Sequence, residues 1–227
     1  MQTPEHTKFK NYSIHYLDKK EYHVIKKEIF NQEVYSFEFD KNPVNIVDIG
    51  AHIGLSVIYF KEQFPNSRII AFEPNPCNFE LLEKNVFNNN LRNVECIQKA
   101  ISSKKEEKHL YYNTSNTSTS SFQRNAWNGM EKEQEKVLVE CITLNDFVNM
   151  DVDLLKMDIE GLEEEVILSS REALQCVSNI VFEFHCFNIK SFDRIVRFLK
   201  SCNFYIAEIS KPKIGEMCIL KGSKYPI

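Results

Sequence analysis

Glycines and acids follow two apolar runs of this sequence in an order that suits the binding of a nucleoside. The first run contains Asp48 and leads into a turn that holds Gly50 and Gly54. The second run, residues 69–72, ends at Glu73. A strand, a glycine turn, a helix and a second strand that ends in an acid are the elements with which open α/β sheets hold a ribose and its neighbouring groups.

The spacing of the two glycines indicates which kind of nucleoside fits. The dinucleotide fingerprint G-x-G-x-x-G uses its middle glycine to bring the backbone close to a pyrophosphate. This turn reads Gly50-x-x-x-Gly54 and carries His52 in its interior. The pattern therefore disfavours a NAD-dependent oxidoreductase and favours a ligand with a ribose but no pyrophosphate, for which S-adenosylmethionine (SAM) is the leading candidate. The alternative is a tight strand-to-helix turn that binds nothing.

The candidate cofactor-binding residues come from the glycine turn and from the segment after the second run. The backbone N–H groups of the turn are expected to hold the methionine part of SAM, and the helix N-terminus favours its carboxylate. Glu73 is expected to accept hydrogen bonds from the ribose hydroxyls; without a ligand it would be a partner for a helix dipole. The full set is Asp48, Gly50, Ala51, His52, Gly54, Glu73, Pro74 and Asn75.

A second group of acids follows the apolar run 152–157. Asp158 and Glu160 come directly after this run, and residues 163–165 are three glutamates expected in the first turn of a helix as dipole partners. Helix capping explains at most one of the two earlier acids. If strand 152–157 lies beside the first strand, these acids face the reactive methyl group. A carboxylate there would accept the proton of a hydroxyl group or hold a divalent ion that acidifies it.

Glu183 lies in the predicted strand 178–184 and His185 directly follows it, and both share one face because side chains alternate along a strand. Imidazole is the side chain best matched to proton transfer near neutral pH. The alternative is a solvent-exposed pair, or a buried histidine satisfied by Glu183. We expect Asp158, Glu160, Glu183 and His185 to form the catalytic group, with His185 or Asp158 as the base and the two glutamates orienting them.

Strands and helices alternate along most of the chain, which predicts an α/β fold with a parallel sheet and helices on both faces. The last two strands are too close in sequence for a crossover helix, so we expect an antiparallel C-terminal pair. Apolar patterning predicts strands at 44–49, 68–73, 93–98, 152–157, 178–184, 203–208 and 216–221. It predicts helices at 53–64, 76–89, 163–170 and 191–201.

Residues 1–43 are polar and aromatic, and we expect them to form a cap on the main domain, which covers 44–227. Within this cap the pattern predicts a helix at 20–30 and a strand at 34–39. Acceptor recognition is expected to lie in this cap and in residues 113–135.

An insertion at 104–141 interrupts the alternation. It contains a predicted hairpin of strands 108–112 and 137–141, and between them the run 113–121 consists almost entirely of Ser, Thr and Asn. Such a run is not expected to bury itself. It is interpreted either as a mobile surface loop or as a substrate lid. Arg124 and Trp127, which follow it, favour the lid.

Taken together, these motifs resemble the FkbM family of SAM-dependent methyltransferases. The resemblance covers about residues 44–187, and its most specific part is Lys-x-Asp-Ile-Glu-Gly-x-Glu at 156–163. It implies a Rossmann-like methyltransferase fold with a seven-stranded, mostly parallel sheet and one antiparallel strand. It also implies O-methylation (class 2.1.1) of a hydroxyl group on a sugar, polyketide or related metabolite, chiefly a carbohydrate or glycosylated acceptor. The family usually has Asn where His52 stands.

Composition limits the partners and the compartment. The net charge of −4 and the pI near 5.9 give no basic footprint for nucleic acid. No apolar run approaches the ~20 residues of a membrane span. Seven scattered cysteines without a C-x-x-C pair indicate reduced thiols in a cytoplasmic protein and no structural zinc site. The sequence leaves a divalent metal open, but no ligand spacing beyond Asp158 and Glu160 indicates one, and it does not predict an oligomeric state.

Two other functions fit the same fold. A nucleic-acid or protein methyltransferase is the first; for base amines it would need an Asn/Asp-Pro-Pro-Tyr/Phe block where Asp158 and its neighbours stand. A non-catalytic SAM-binding protein is the second, and the clustered acids argue against it. Transfer of label from SAM to small hydroxylated acceptors would distinguish these functions.

Overall fold

The computed structural model describes residues 3–39, 41–113, 116–122, 134–207 and 212–226. The strands, in chain order, are β1 (Glu5–Phe9), β2 (Tyr12–Tyr16), β3 (Asn45–Ile49), β4 (Arg68–Phe72), β5 (Val94–Ile97), β6 (Ala100–Ile101), β7 (Glu106–Asn113), β8 (Asn116–Ser121), β9 (Gln134–Ile142), β10 (Val152–Met157), β11 (Val177–His185), β12 (Tyr205–Ile206) and β13 (Met217–Ser223). The helices are α1 (Lys19–Lys26), α2 (Leu55–Gln63), α3 (Pro76–Asn88), α4 (Leu144–Phe147), α5 (Glu163–Ser169), α6 (Arg171–Gln175) and α7 (Ile189–Ser201), and a π-helical turn, Lys27–Asn31, continues α1.

Seven strands form the central sheet in the order β12-β13-β11-β10-β3-β4-β5. The five strands from β11 to β5 pair in parallel, and β13 runs antiparallel to both of its neighbours. The predicted seven-stranded, mostly parallel sheet with one antiparallel strand is therefore confirmed. β10 lies beside β3, with Lys156 opposite Asp48, as the predicted site requires.

Helices cover both faces of this sheet because its central strands are apolar on both sides. Val47 and Ile70 face one core, to which α5, α6 and α7 contribute, whereas Ile46 and Ile69 face a second core built with α2 and α3. Near-continuous apolar runs are typical of parallel strands buried on both faces. The carboxyl ends of the strands therefore meet at one edge, where the predicted site residues follow them.

The predicted helices agree with α2, α3, α5 and α7 to within a few residues. Ile195 and Leu199 of the predicted apolar stripe on α7 are completely buried. No sequence pattern predicts the short helices α4 and α6. The longest described helices, α3 and α7, have 13 residues each. None of the helices in the described ranges is both long and apolar enough to cross a bilayer.

The N-terminal segment contains one element that sequence reasoning identified and one that it did not. The predicted helix corresponds to α1 and the π-helical turn, whereas the β1–β2 hairpin is not predicted. The strand predicted at 34–39 is wrong, because these residues pair with no strand of the described chain. Their alternation has another cause: Tyr35 is buried, and Phe37 and Phe39 pack against the second core.

The insertion forms a separate four-stranded sheet with the order β6-β9-β7-β8. Its predicted hairpin is confirmed by the antiparallel pair β7–β9. The loop expected at 113–121 is wrong for most of its length, because Asn116–Ser121 is strand β8 and both Thr117 and Ser121 are buried. Arg124 and Trp127 lie outside the described residues.

Hydrogen bonds explain how this polar strand is buried. The Thr117 hydroxyl lies 3.0 Å from Nε2 of His52, and the Ser121 hydroxyl donates to the carbonyl oxygen of Glu160. A buried polar side chain costs little when it has a partner. β8 therefore lies against the predicted site.

Candidate active site

A cavity of about 350 Å³ opens at the carboxyl ends of β3, β4, β10 and β11. This volume lies within the range of small-molecule sites, and such sites are expected at this edge of an open α/β sheet. The predicted residues that line it are Gly50, Ala51, His52, Glu73, Pro74, Asp158, Glu160, Glu183 and His185. Asp48, Gly54 and Asn75 do not line it.

Backbone conformation explains both glycines of the turn, and close packing also explains Gly50. Gly50 has a φ of +75°, and a Cβ atom there would lie 1.8 Å from the carbonyl oxygen of Asp158. Gly54 has a φ of +88°, and its Cβ would lie 2.7 Å from Cδ1 of Leu82 in α3. Both positions use the left-handed region that glycine adopts without strain, and Gly50 also lacks room for a side chain because its Cβ would meet backbone atoms. The turn is pressed against β10 on one side and against α3 on the other.

Asp48 is connected to the glycine turn through Lys156. Its Oδ1 lies 3.0 Å from Nζ of Lys156, its Oδ2 accepts a hydrogen bond from the Ser56 hydroxyl at 2.5 Å, and Lys156 also donates to the carbonyl oxygen of Gly50 at 2.6 Å. Burial acts to lower the pKa of Lys156, but the charges of Asp48 and Asp158 outweigh it and raise this pKa. The predicted pairing of Lys156 with an acid is observed, and its function is to hold the glycine turn in place.

Glu73 connects the turn to the start of α3. Its carboxylate accepts hydrogen bonds from the backbone N–H groups of His52 and Asn75, both at 2.9 Å. Burial raises the pKa of Glu73, although the charge of His52 and these two N–H groups act against it. Asn75 caps α3 by accepting a hydrogen bond from the N–H of Cys77, so its role is in the helix end. Pro74 lies between them on the cavity wall.

His52 lies at the junction of three segments. Its φ is 51°, a left-handed conformation in which Asn is enriched among non-glycine residues. Its Nε2 lies 3.6 Å from Oε1 of Glu21 in α1 and 3.0 Å from Oγ1 of Thr117 in β8. Burial acts to lower the pKa of His52, but the hydrogen bond and charge of Glu21 outweigh it and raise this pKa.

The predicted catalytic group is assembled around His185. Its Nδ1 lies 3.0 Å from Oε1 of Glu163, and its Nε2 lies 3.6 Å from Glu160 and 3.9 Å from Glu183. Glu163, expected only as a helix-dipole partner, is almost completely buried and also accepts a hydrogen bond from the N–H of Gly161. That expectation is incomplete, because the buried carboxylate orients the imidazole.

The chain reverses sharply after Asp158. Glu160 and Gly161 both have positive φ values, 54° and 103°. A Cβ at Gly161 would lie 2.6 Å from the ring of Phe187, which explains the glycine. Left-handed non-glycine residues are sparse and concentrate at functional sites. The reversal directs Glu160 into the cavity instead of into the helix that follows.

Burial and the neighbouring carboxyl groups together shift the pKa values in this part of the cavity. Burial, followed by the charge of Asp158, raises the pKa of Glu183 to about 8 and raises the pKa of Glu160 well above its usual value. Burial acts to lower the pKa of His185, but Glu163, Glu160 and Asp158 raise it to about 10. Groups with strongly shifted pKa values in a cleft are typical of catalytic sites.

Tyr35 is a site residue that the sequence pattern does not reveal. Its hydroxyl lies 3.2 Å from Oδ2 of Asp158 and 3.3 Å from Oε1 of Glu183, and its side chain is buried. Burial, followed by the charges of these two acids, raises the pKa of Tyr35 well above its usual value. It thus remains a neutral donor to them. The alternation of residues 34–39 includes Tyr35, but it does not indicate that the Tyr35 hydroxyl reaches Asp158 and Glu183.

The remaining cavity wall is largely apolar and comes from outside the central strands. Val24, Ile25 and Ile29 contribute from α1 and the turn after it, and Leu110 and Phe122 contribute from the insertion. The cavity thus combines a polar floor at the strand ends with an apolar wall. This combination is typical of sites for small organic molecules.

Three buried polar atoms of cavity-lining residues lack a hydrogen-bond partner among the described residues. They are Nδ1 of His52, Oδ1 of Asn78 and Oδ1 of Asp158. Buried polar groups are normally satisfied, so unsatisfied ones call for a ligand, ion or water. Asp158, Glu183 and His185 also place ligand-type atoms within 4.8 Å of one another, as a metal site would need.

Comparison with known proteins identifies a family with which this chain shares sequence similarity. Residues 48–206 match the methyltransferase FkbM domain family. The protein named methyltransferase sdnD, from Sordaria araneosa, is 32% identical over 212 residues, which cover 80% of this chain and 82% of that protein.

Solved structures share the fold. A methyltransferase FkbM from Methylobacillus flagellatus KT superposes with a TM-score of 0.57 at 14% identity; the match covers 86% of this chain and 47% of that one, so this chain spans about half of its length. M. jannaschii TYW2 in complex with AdoMet gives a TM-score of 0.54 at 15% identity over 98% of this chain and 86% of that one. At these sequence identities the two comparisons show a shared Rossmann-like fold.

Proposed function

This chain belongs to the FkbM methyltransferase family, and we propose that it transfers the methyl group of SAM to a hydroxyl oxygen of a small metabolite. One observation carries the proposal: a single cavity joins Glu73 and the glycine turn, which suit a nucleoside, to Asp158, which suits proton removal, and to His185 beside it. Both halves are needed for O-methylation. A plain binding site would not need the second half.

The cofactor half of the cavity has unused hydrogen-bonding capacity that suits SAM. A carboxylate has about four acceptor sites, and backbone N–H groups occupy two on Glu73, so two remain for ribose hydroxyls. His52 Nδ1 and Asn78 Oδ1 supply two further unsatisfied atoms in the same cavity. Asp48 supports this half from below, through Lys156 and the Gly50 carbonyl.

When bound, SAM supplies an electrophilic methyl group on a positively charged sulfur. Asp158 has a buried Oδ1 without a hydrogen-bond partner among the described residues, which is the position for accepting the proton of the acceptor hydroxyl. Tyr35 holds the other oxygen of Asp158 at 3.2 Å and thereby fixes the carboxylate. Glu163 fixes His185 in the same way, and His185 with Glu160 and Glu183 surrounds the reacting hydroxyl. Alignment of this kind lowers the barrier of an in-line transfer.

The apolar cavity wall favours a small acceptor that has an apolar body and carries the hydroxyl group. Examples are a polyketide, a sugar joined to an apolar group or a related metabolite. Val24, Ile25 and Ile29 offer contact for apolar carbon, whereas the hydroxyl would lie among the acids of the floor. A nucleic acid would meet an acidic cavity on a chain with a net charge of −4, which is unfavourable for a polyanion.

Calorimetric titration with SAM and S-adenosylhomocysteine, followed by label transfer from methyl-labelled SAM to a panel of hydroxylated glycosides and polyketide alcohols, tests the proposal. We expect SAM affinity in the range ~1 μM to 1 mM and label on oxygen. Glu73→Gln should weaken SAM binding, whereas Glu95→Gln, an exposed glutamate that pairs with Arg68, should not. SAM binding without transfer to any acceptor would indicate a binding protein, and the absence of SAM binding would reject the proposal.

A further inference from the structure

Asp158, Glu183 and His185 lie close enough together to bind one ion. Each offers a ligand-type atom, these atoms all lie within 4.8 Å of one another, and all three residues line the cavity. We propose that this chain binds a divalent transition-metal ion through Asp158, Glu183 and His185. The proposal concerns metal affinity of the chain itself and does not depend on SAM or on the acceptor.

The chemistry of the three side chains indicates the kind of ion. Two carboxylates and one imidazole suit Mn²⁺ and its neighbours up to Zn²⁺, whereas Mg²⁺ prefers oxygen ligands alone. Three ligands from the protein leave coordination positions open towards the cavity, as in metal sites that also bind a substrate. The residues come from the ends of β10 and β11, which are hydrogen-bonded neighbours, so the backbone fixes their separation.

An unsatisfied ligand atom supports the site independently. Oδ1 of Asp158 is buried and has no hydrogen-bond partner among the residues that the structure describes, while Oδ2 is held by the Tyr35 hydroxyl at 3.2 Å. Leaving a buried carboxylate oxygen unpaired is costly, and coordination to a cation removes that cost. Because Tyr35 is a donor to both carboxylates of the triad, it also fixes their orientation.

Glu163 provides the outer contact that metal-binding histidines usually have. Its carboxylate lies 3.0 Å from Nδ1 of His185 and is itself almost completely buried. Histidine ligands commonly donate one ring N–H to a carboxylate while the other nitrogen faces the metal. Here the nitrogen that faces the carboxylates of Glu160 and Glu183 is Nε2.

The surrounding charges favour a cation at this place. Glu28 and Glu160 line the same cavity as the triad and add two further carboxyl groups. Lys156, the nearby buried cation, is already paired with Asp48 at 3.0 Å. The acids therefore outnumber the cations around the triad, and a bound divalent ion would balance them.

Titration of the EDTA-treated chain with MnCl₂ in the absence of SAM tests the proposal, by calorimetry and by the loss of the free Mn²⁺ electron paramagnetic resonance signal. We expect one Mn²⁺ for each chain and weaker binding of Mg²⁺. Glu183→Gln should weaken Mn²⁺ binding at least ~10- to 100-fold, the cost of losing even an outer-shell partner. Glu28→Gln, which removes a neighbouring carboxylate of the same cavity but no ligand of the triad, should weaken Mn²⁺ binding far less than Glu183→Gln does.

Circular dichroism and thermal unfolding establish that each variant is folded, and Asp158→Asn replaces Glu183→Gln if the latter is not. The proposal is overturned if the wild-type chain binds no Mn²⁺ up to about 1 mM, the weak end of protein sites for divalent cations. It is also overturned if Glu28→Gln weakens binding as much as the triad variants, because binding would then reflect general negative charge. Neither result would argue against SAM binding or methyl transfer, because those are measured separately.

Discussion

Nζ of Lys156 lies 3.0 Å from Oδ1 of Asp48, and both side chains are almost completely removed from solvent. The two residues are directly opposite each other on β10 and β3. Lys156 also donates to the carbonyl oxygen of Gly50. This buried ion pair therefore ties the strand that carries the proposed catalytic acid to the turn that is proposed to hold the cofactor.

Lys156→Met should reduce the free energy of unfolding by about 3–5 kcal/mol, because it leaves Asp48 charged and buried without its partner. Adding Asp48→Asn to this variant should restore part of the loss, since no uncompensated charge remains. Urea unfolding followed by circular dichroism measures both changes. Arg68→Met breaks the Arg68–Glu95 pair, whose side chains are 49% and 53% exposed, and should cost less than about 1 kcal/mol. If Lys156→Met and Arg68→Met reduced the free energy of unfolding equally, the assigned role of the buried pair would be contradicted.

Gly50→Ala should destabilise the fold and impair SAM binding, because its Cβ would lie 1.8 Å from the backbone oxygen of Asp158. Gly215→Ala is the matched control: Gly215 has a φ of +83°, but no atom of the described residues lies within 4 Å of its Cβ position. The control should show only the strain of a left-handed alanine, about 1–2 kcal/mol. The loss for Gly50→Ala should exceed that by about 1–3 kcal/mol of steric overlap. Urea unfolding of the two variants measures both losses in unfolding free energy. Similar losses for Gly50→Ala and Gly215→Ala would show that the end of β10 can move away from the added methyl group.

Asp158→Asn should lower turnover by about 10²- to 10⁴-fold, the usual contribution of a positioned acid or base. SAM affinity should change little, because Glu73 and the glycine turn remain. Single-turnover label transfer measures the first effect, and calorimetry measures the second. Asp151→Asn replaces an exposed aspartate that does not line the cavity, so it should leave both unchanged. Unchanged turnover in Asp158→Asn would remove this residue from the mechanism.

His52→Asn should change how stability depends on pH, because Glu21 and the charges of Glu73 and Asp158 outweigh burial and raise the pKa of His52 above 6.5. Between 6.5 and that raised pKa, the folded chain binds the proton more tightly than the unfolded chain does. The stabilisation is therefore fully present below 6.5 and is lost as the pH rises through the folded-state pKa. Asn tolerates the left-handed backbone at this position, so the substitution removes the imidazole with little strain.

Urea unfolding of wild type and His52→Asn from about pH 5 to about pH 9 measures this dependence. The difference in unfolding free energy should fall with rising pH. His15→Asn provides a control of opposite sign, because burial, followed by the charge of Lys84, lowers the pKa of His15. A pH-independent difference for His52→Asn would show that the contact with Glu21 does not stabilise the folded state.

The central sheet and the strand ends that carry the site could be predicted from the sequence. In these strands the residues with an apolar sequence pattern are also the residues that the fold buries. Ile46, Val47 and Ile49 are apolar in the sequence and buried in the fold. Asp158 follows β10, and Glu183 and His185 lie at the end of the neighbouring strand β11. Parallel strands bring their carboxyl ends to one edge, so the convergence of these side chains is predictable.

The outer parts of the site were less predictable because tertiary contacts override the local pattern there. Residues 34–39 alternate as a strand does, yet the alternation reflects packing of Tyr35 and its neighbours on the core. Thr117 belongs to a run whose composition predicts exposure, but pairing with β7 and contact with His52 bury it. Glu163 has the position of a helix-dipole partner, and only the fold shows that His185 is next to it.

Tyr35 precedes residues 48–206, the part of the chain by which the family is recognised. It nevertheless lies within hydrogen-bonding distance of Asp158 and Glu183. Two proteins with the same diagnostic motifs can therefore differ in the residue that fixes their central carboxylates. Under the proposed function, a change in the segment before residue 48 would alter the surroundings of the acceptor while the donor-binding half stayed the same. Removal of this segment from the present chain would leave Asp158 and Glu183 without the Tyr35 hydroxyl.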